Sequence, residues 1–200
     1  MTRMLTVSEL LGRPLNLRER LFAPRTLYVA GRGPVPIPAP RVSVVGTRNP
    51  SEEGIELARK LVEKLTREGV VVISGLARGI DTVAHTTALE NGGMTVAVLG
   101  TPLDRFYPPE NRELQKRLMR EQLVISQFPS GSPIRKENFV LRNRTIALIS
   151  DAMVVVEASE GGGSASAARA AIRLGRQLFL TPLCNLRVEG ARILNPTKII

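Results

Sequence analysis

From Val42 onward, short apolar runs alternate with amphipathic ones, and no other feature of the sequence restricts the fold as much. Alternation of this kind is the signature of βα units wound around a mostly parallel sheet, an α/β fold. Strands are expected at "VSVVG" (42–46), "VVVIS" (70–74), "TVAVLG" (95–100), "LVIS" (123–126), "MVVVEA" (153–158) and "QLFLTP" (177–182). Between the first two, "SEEGIELARKLVEKLTREG" places Ile55, Leu57, Ala58, Leu61, Val62 and Leu65 on one stripe. Ser51 is its expected N-cap, acidic residues fill the first turn, and Gly69 is its expected C-cap. Further helices are expected at about 80–91, 110–121, 140–150 and 164–174.

A chain of 200 residues can bury a full core without disulfides, and 43% apolar content with 4% aromatic residues suits a core of Val, Ala, Leu and Ile. One main domain is expected over residues 42–182. Residues 1–41 carry seven Arg and two Glu and end in "GRGPVPIPAPR", whose prolines remove amide donors and favour an extended connector. They read as a lead-in, within which "TLYVAG" is a short strand docking on the main domain. Residues 183–200 form a C-terminal extension. Cys184, the only cysteine, has no disulfide partner and cannot build a cysteine metal cluster. No run approaches the roughly 20 apolar residues that span a membrane, and the Met1 end lacks the apolar core of a signal peptide. The expectation is a cytoplasmic protein without membrane contact, metal or cofactor.

The 28 Lys and Arg against 18 Asp and Glu give a net charge of +10, which favours polyanionic partners through long-range attraction and counterion release. In an open α/β sheet, ligands bind outside the carboxyl ends of the strands, where helix N-termini offer free amide donors. Three turns at such ends are alike in carrying glycine and a hydroxyl side chain, namely "GTRNPS" (46–51), "SGLARGID" (74–81) and "EASEGGGSAS" (157–166). In the first, Gly46 permits close backbone approach, Thr47 and Ser51 carry hydroxyls, and Arg48 can grip a phosphate bidentately. The second supplies Ser74, Gly75, Arg78 and Gly79 as part of a phosphate cradle. The third offers Gly163 and Ser164. None fits the dinucleotide or P-loop fingerprint.

The same second turn holds Asp81 and His85, the only histidine, four residues apart and one helical turn on the same face. A hydrogen bond between them is geometrically easy, and with no nucleophile or metal nearby they are expected to brace the turn rather than to do acid/base work. Downstream, "PIRKENFVLRNRTIA" (133–147) places Arg135, Lys136, Arg142 and Arg144 around Phe139. Cations interleaved with one aromatic ring suit a single strand of nucleic acid, with the cations on phosphates and the ring stacked on a base.

Taken in order, "VSVVGTRNPSEEG", "VVVISGLARGIDTVAHTTAL", "TVAVLGTPLDRFYPPEN", "FVLRNRTIALIS" and "MVVVEASEGGGSASAARAAIRLGRQLFLTP" resemble the DNA-processing protein A family, also called Smf, over about residues 20–182. The resemblance implies an extended Rossmann-like fold with helices on both faces of the sheet. It implies a single-stranded DNA binding module rather than an enzyme, acting as a homodimer that hands DNA to a RecA-type recombinase during natural transformation. The family's glycine-serine-arginine turn corresponds to Gly46-Thr47-Arg48, and its basic residue and stacking Phe to Lys136 or Arg135 and Phe139. Its Arg-Asn-Arg motif is Arg142-Asn143-Arg144. The loop before the last helix departs from the family's Ser-Gly-Ser-Leu pattern.

Two other functions compete. Phosphoribohydrolases of the Lonely Guy family share this Rossmann variant, but "EGGGSASAA" lacks the Pro, the Thr and the Glu of their Pro-Gly-Gly-x-Gly-Thr-x-x-Glu motif. A sensor of a small nucleotide ligand could use the same cradle. A homodimer would form through an exposed apolar helix face or through a sheet edge, for which the apolar "QLFLTPLCNL" (177–186) is the candidate unless the proline-rich lead-in or residues 187–200 fold back over it.

Overall fold

The computed structural model describes residues 2–195. Its elements run β1 (Arg3–Leu5), α1 (Val7–Leu11), α2 (Leu17–Phe22), β2 (Leu27–Gly31), β3 (Arg41–Val45), α3 (Glu52–Arg67), β4 (Val71–Ser74), α4 (Ile80–Glu90) and β5 (Thr95–Leu99). A 3-10 turn (Pro109–Asn111) then leads into α5 (Arg112–Glu121), β6 (Leu123–Ser126), α6 (Lys136–Ile149), β7 (Ala152–Val155) and β8 (Ala158–Ser159). The last described elements are α7 (Gly163–Arg173), β9 (Gln177–Leu180), β10 (Cys184–Asn185) and β11 (Arg192–Ile193).

Among the described residues, nine strands form one sheet in the order β1-β2-β6-β5-β4-β3-β7-β9-β11. From β6 through β11 the pairing is parallel, whereas β1 pairs with β2, and β2 with β6, antiparallel. The chain travels outward from β3 through β4, β5 and β6, then returns to the other side of β3 as β7 and β9. The order therefore reverses between β3 and β7, the place where an open α/β sheet leaves a crevice at its carboxyl end.

Alternate side chains of each strand enter opposite layers. Val71, Ile73, Val96, Val98, Ile125 and Val155 join Ile146 and Ala168 from α6 and α7 on one face, and Val44, Val72 and Val154 meet Ala58, Leu61, Val62 and Ala84 from α3 and α4 on the other. Ala97, Leu99 and Val124 continue that second face under Leu118 of α5. Each fully buried Leu or Ile contributes about 1.5–3 kcal/mol from apolar transfer. Burial on both faces explains why the central strands read as unbroken apolar runs.

The six expected strands and five expected helices are present, β6 with the expected bounds and the others with shifted ones. Ser51 caps α3 through Gly54 N–H to Oγ, at 3.0 Å. Glu68 is the closing cap residue and Gly69 follows it with φ 71°. The helix placed at 140–150 begins earlier, at Lys136, directly after the extended residue Arg135, and so carries Phe139 and its basic neighbours in its first turns. The apolar stretch 177–186 is not an open edge: Arg192 and Ile193 pair alongside Phe179 and Leu180. Residues 196–200 of the expected extension lie outside the described residues.

Residues 3–31 add two strands to the same sheet, and Val7, Leu10, Leu27 and Val29 enter its larger core. Glu19 of α2 is fully buried there. Its carboxylate accepts from Arg13 Nη1 and Nη2 at 2.9 and 2.6 Å, from Asn16 N–H at 2.9 Å, and from Arg176 Nη2. Arg176 also donates to the Leu148 carbonyl at 2.8 Å, so one carboxylate ties α2 to the end of α6 and the turn before β9. Hydrogen bonding from Arg13 is the main reason its pKa lies at about 2, below the ordinary 4.5.

Candidate nucleic-acid interface

Two adjoining cavities open at the switch point. One, of about 380 Å³, lies between the loops after β3 and β7 and is lined by Gly46, Thr47, Arg48, Asp81, Arg142, Asn143, Gly163 and Ser164. The other, of about 220 Å³, lies beside it under Gly75, Arg78, Gly100 and Tyr107. Arg48, Ala77, Phe139 and Arg142 form the wall they share.

Local bonding fixes the first loop. Thr47 N–H donates to the Glu157 carbonyl at 2.6 Å, and the Glu157 carboxylate accepts from the Ser51 amide and hydroxyl at 3.0 and 2.9 Å. The Ser51 hydroxyl is thus committed to Glu157 and to the helix cap, and Ser51 lines neither cavity. Gly79 has φ 74°, and a Cβ there would lie 2.4 Å from the Thr47 carbonyl oxygen, so only glycine lets the second loop pack against the first. The Ile80 amide at the start of α4 donates to that same carbonyl at 3.2 Å. Ser164 Oγ donates to the Gly46 carbonyl at 2.7 Å, and Asn143 Nδ2 to the Gly163 carbonyl at 3.0 Å, drawing the N-terminus of α7 to the rim of the larger cavity.

Arg142 lies beneath both cavities and is 5% exposed. Gly75 makes room for it: a Cβ at that position would lie 1.2 Å from Arg142 Nη1. The guanidinium is 3.6 Å from Asp81 Oδ2 and 3.5 Å from the Val98 carbonyl oxygen, while its Nε has no hydrogen-bond partner. Burial pushes the Asp81 carboxyl up and Arg142 opposes that push; burial pulls the guanidinium down and Asp81 opposes that. Arginine keeps its proton regardless. The result is a cation at the cavity floor with incomplete pairing, a source of positive potential for whatever occupies the space above.

Arg48 is exposed on the rim, its guanidinium 6.0 Å from the Phe139 ring centroid, and Arg142 lies at the same distance. Phe139 is half-buried, resting on Gly100, where a Cβ would come within 2.5 Å of the ring. Arg78 is exposed and paired with Glu110 at 3.4 Å, a surface contact of little energetic weight.

Several expected site residues face elsewhere. Ser74 is fully buried and donates its hydroxyl to the Val44 carbonyl at 2.7 Å, joining β4 to β3 instead of joining the cradle. Arg135, Lys136 and Arg144 are exposed but line neither cavity; the first two stand at the start of α6, three and four residues before Phe139. Asp81 braces its turn by accepting from Ala77 N–H at 3.3 Å, but it makes no hydrogen bond to His85. His85 is fully buried, with Nδ1 2.8 Å from Thr95 Oγ1, because its side chain crosses to β5. Burial, then the Arg142 charge, lowers its pKa to about 3 against a weak opposing effect of the Ser74 backbone, so it is neutral at physiological pH.

Glu157, Tyr107 and Asn111 also line or brace the interface, and the sequence assigned none of them a role in it. Asn111 is buried and donates to the Leu76 and Ala77 carbonyls at 3.0 and 3.3 Å, holding a loop in which Leu76 has φ 57°. The only sequence signal for Tyr107 and Asn111 was their place in "FYPPEN", and for Glu157 its place at the head of "EASEGGGSAS" (157–166). Among the described residues no group of three His, Cys, Asp or Glu could hold a metal, and no helix is long and apolar enough to cross a membrane.

Residues 12–194 match the family described as DNA recombination-mediator protein A. The chain is 40% identical over 176 residues to Protein Smf from Synechocystis sp., covering 84% of this chain and 43% of that protein. It is also 40% identical over 169 residues to DNA processing protein DprA from Streptococcus pneumoniae, covering 84% of this chain and 59% of that one. The chain thus spans about half the length of these curated relatives. The X-ray structure of DNA processing protein A from S. pneumoniae superposes with a TM-score of 0.78 and 34% identity, over 94% of this chain and 65% of that one. A structure addressing the single-stranded DNA binding mode of DNA processing protein A from Helicobacter pylori superposes with a TM-score of 0.75 and 25% identity, over 98% and 86%.

Proposed function

The chain belongs to the DNA recombination-mediator protein A family, and we propose on that premise that it binds single-stranded DNA across the paired cavities at the sheet's switch point, in DNA uptake or recombination. The observation that carries this is the incompletely paired Arg142 beneath the space that Arg48 and Phe139 overhang. A phosphate above Arg142 would meet Arg48, the Ser164 side of the loop and the amides that open α7. Phe139 would stack on a neighbouring base, and the exposed Arg135 and Lys136 would neutralise phosphates on the approach. The H. pylori relative's single-stranded DNA binding mode supports the assignment.

Binding, not catalysis, is the assigned role: the only histidine is buried beneath the interface and neutral, and it lines neither cavity. The proposal extends to cytoplasmic action, to self-association as a homodimer and to delivery of the strand to a RecA-type recombinase. The family description as a recombination mediator supports that last step.

Binding of an oligothymidine should fall with salt at a logarithmic slope of roughly 0.7 per neutralised phosphate, with no marked sequence preference, and thymidine monophosphate should bind far more weakly. Fluorescence anisotropy over a salt series checks this. Duplex preference, or saturation by the mononucleotide at equal affinity, would overturn the single-strand assignment, the latter in favour of a nucleotide sensor. Arg48→Ala should weaken the oligonucleotide without changing the unfolding midpoint, because Arg48 is exposed and supports no core. Phe139→Ala should weaken it by about 1–3 kcal/mol. The same titrations, each paired with a urea melt, separate lost contacts from lost fold.

A further inference from the structure

Tyr107 stands on the wall of the smaller cavity with 41% of its surface exposed. The segment that presents it is rigidly tied. Ser126 Oγ donates to the Thr101 carbonyl at 2.7 Å, and Gln115 Nε2 to the Leu103 and Arg105 carbonyls at 3.2 Å each. Pro108, the next residue, is buried, and Asn111 is anchored on the Leu76 loop. Tyr107 touches Phe139 through its ring and is otherwise open to solvent, so ring surface remains free for a ligand.

The ring centroid lies 5.4 Å from that of Phe139, with the planes tilted by 49°. Rings in mutual contact at that angle cannot sandwich one base between parallel faces; they present two diverging faces, each able to take its own base. Cations continue beyond them: Arg105 and Arg112 are exposed, and the Arg112 guanidinium sits 5.0 Å over the Phe106 ring.

We propose that Tyr107 is a second base-stacking residue, taking the nucleobase next to the one on Phe139, so that the strand runs from the larger cavity over the Arg48–Phe139 wall towards residues 105–112. This rests on the single-strand assignment above. The smaller cavity is then where a base turns in beside Gly100, and Arg78 meets the phosphate between the two bases once its exposed pair with Glu110 opens.

The chain has two tyrosines and no tryptophan, so replacing Tyr28 with Phe leaves Tyr107 as the sole tyrosine emitter. Saturating the Tyr28→Phe protein with an unlabelled oligothymidine of roughly 12 nucleotides should quench most of that emission, as base stacking does. Tyr107→Ala should lower affinity for the same oligonucleotide by about 5- to 150-fold, and Tyr107→Phe should stay within about twofold of the parent, because stacking needs the ring alone. Unchanged emission at saturation overturns the assignment even if Tyr107→Ala fails to fold, since that readout leaves Tyr107 intact. A folded Tyr107→Ala protein with parental affinity overturns it equally. If anisotropy shows that the Tyr28→Phe and parent proteins bind no oligonucleotide at all, the single-strand assignment itself has failed and Tyr107 falls with it.

Discussion

Replacing Glu19 with Ala should destabilise the protein by about 3–5 kcal/mol, the usual cost of breaking a buried charge pair from one side. The carboxylate is fully buried and serves Arg13, Arg176 and the Asn16 amide together. Arg176 would be left partly buried, still held against the Ala147 and Leu148 carbonyls but without its anion. Urea unfolding should show a lower midpoint at an unchanged slope. The pH dependence supplies an independent check. A carboxylate whose folded pKa is about 2 against an ordinary 4.5 contributes stability that is fully present above 4.5 and is lost as pH falls towards 2. The stability difference between parent and Glu19→Ala should therefore be constant near neutral pH and shrink through that acid window. A difference under about 1 kcal/mol at pH 7 would mean that the clamp does not anchor α2.

Gly75→Ala should be nearly as damaging, although it adds a single methyl group. The added carbon would lie 1.2 Å from Arg142 Nη1 and 2.8 Å from Asp81 Oδ2, so the guanidinium has to leave. With it goes the cation opposite the buried Asp81 carboxylate, a loss of about 3–5 kcal/mol in stability. The proposed DNA site would lose its floor at the same time. Because both substitutions remove the same contact, Gly75→Ala combined with Arg142→Ala should cost much less than the sum of the two single changes, with a coupling that approaches the shared loss of about 3–5 kcal/mol. Additive losses would show that Gly75 acts through its backbone and not through Arg142. The two experiments probe separate regions: Glu19 tests how residues 3–31 are held to the sheet, and Gly75 tests how the interface is assembled.

Much of the architecture was legible in the sequence because it is written in local periodicity. The runs at 42–46, 70–74 and 95–100 became β3, β4 and β5, and the stripe from Leu57 to Leu65 became the core-facing side of α3. The Gly-bearing turns at 46–51, 74–81 and 157–166 came to the carboxyl ends of adjacent strands, since parallel βα units put those turns at one end of the sheet. Length, charge and apolar content were enough to bound the class.

What each polar side chain faces was decided only by the tertiary structure. Arg142 and Arg144 share one Arg-Asn-Arg motif, yet the first is buried against Asp81 and the second is exposed, because two residues along a helix turn the side chain through about 200°. Ser74 and Ser164 are both hydroxyls beside glycine; one is sealed between β3 and β4, the other bonds the Gly46 carbonyl at the cavity rim. His85 reached Thr95 on β5 rather than Asp81 on its own helix, and Arg192-Ile193 covered the edge of β9 that the sequence left open. An apolar pattern records which residues must leave water, and it repeats within a few positions. A hydrogen bond or ion pair instead goes to whichever donor or acceptor the fold brings near, and for Ser164 and Gly46 or Glu157 and Ser51 that partner is more than a hundred residues away in sequence.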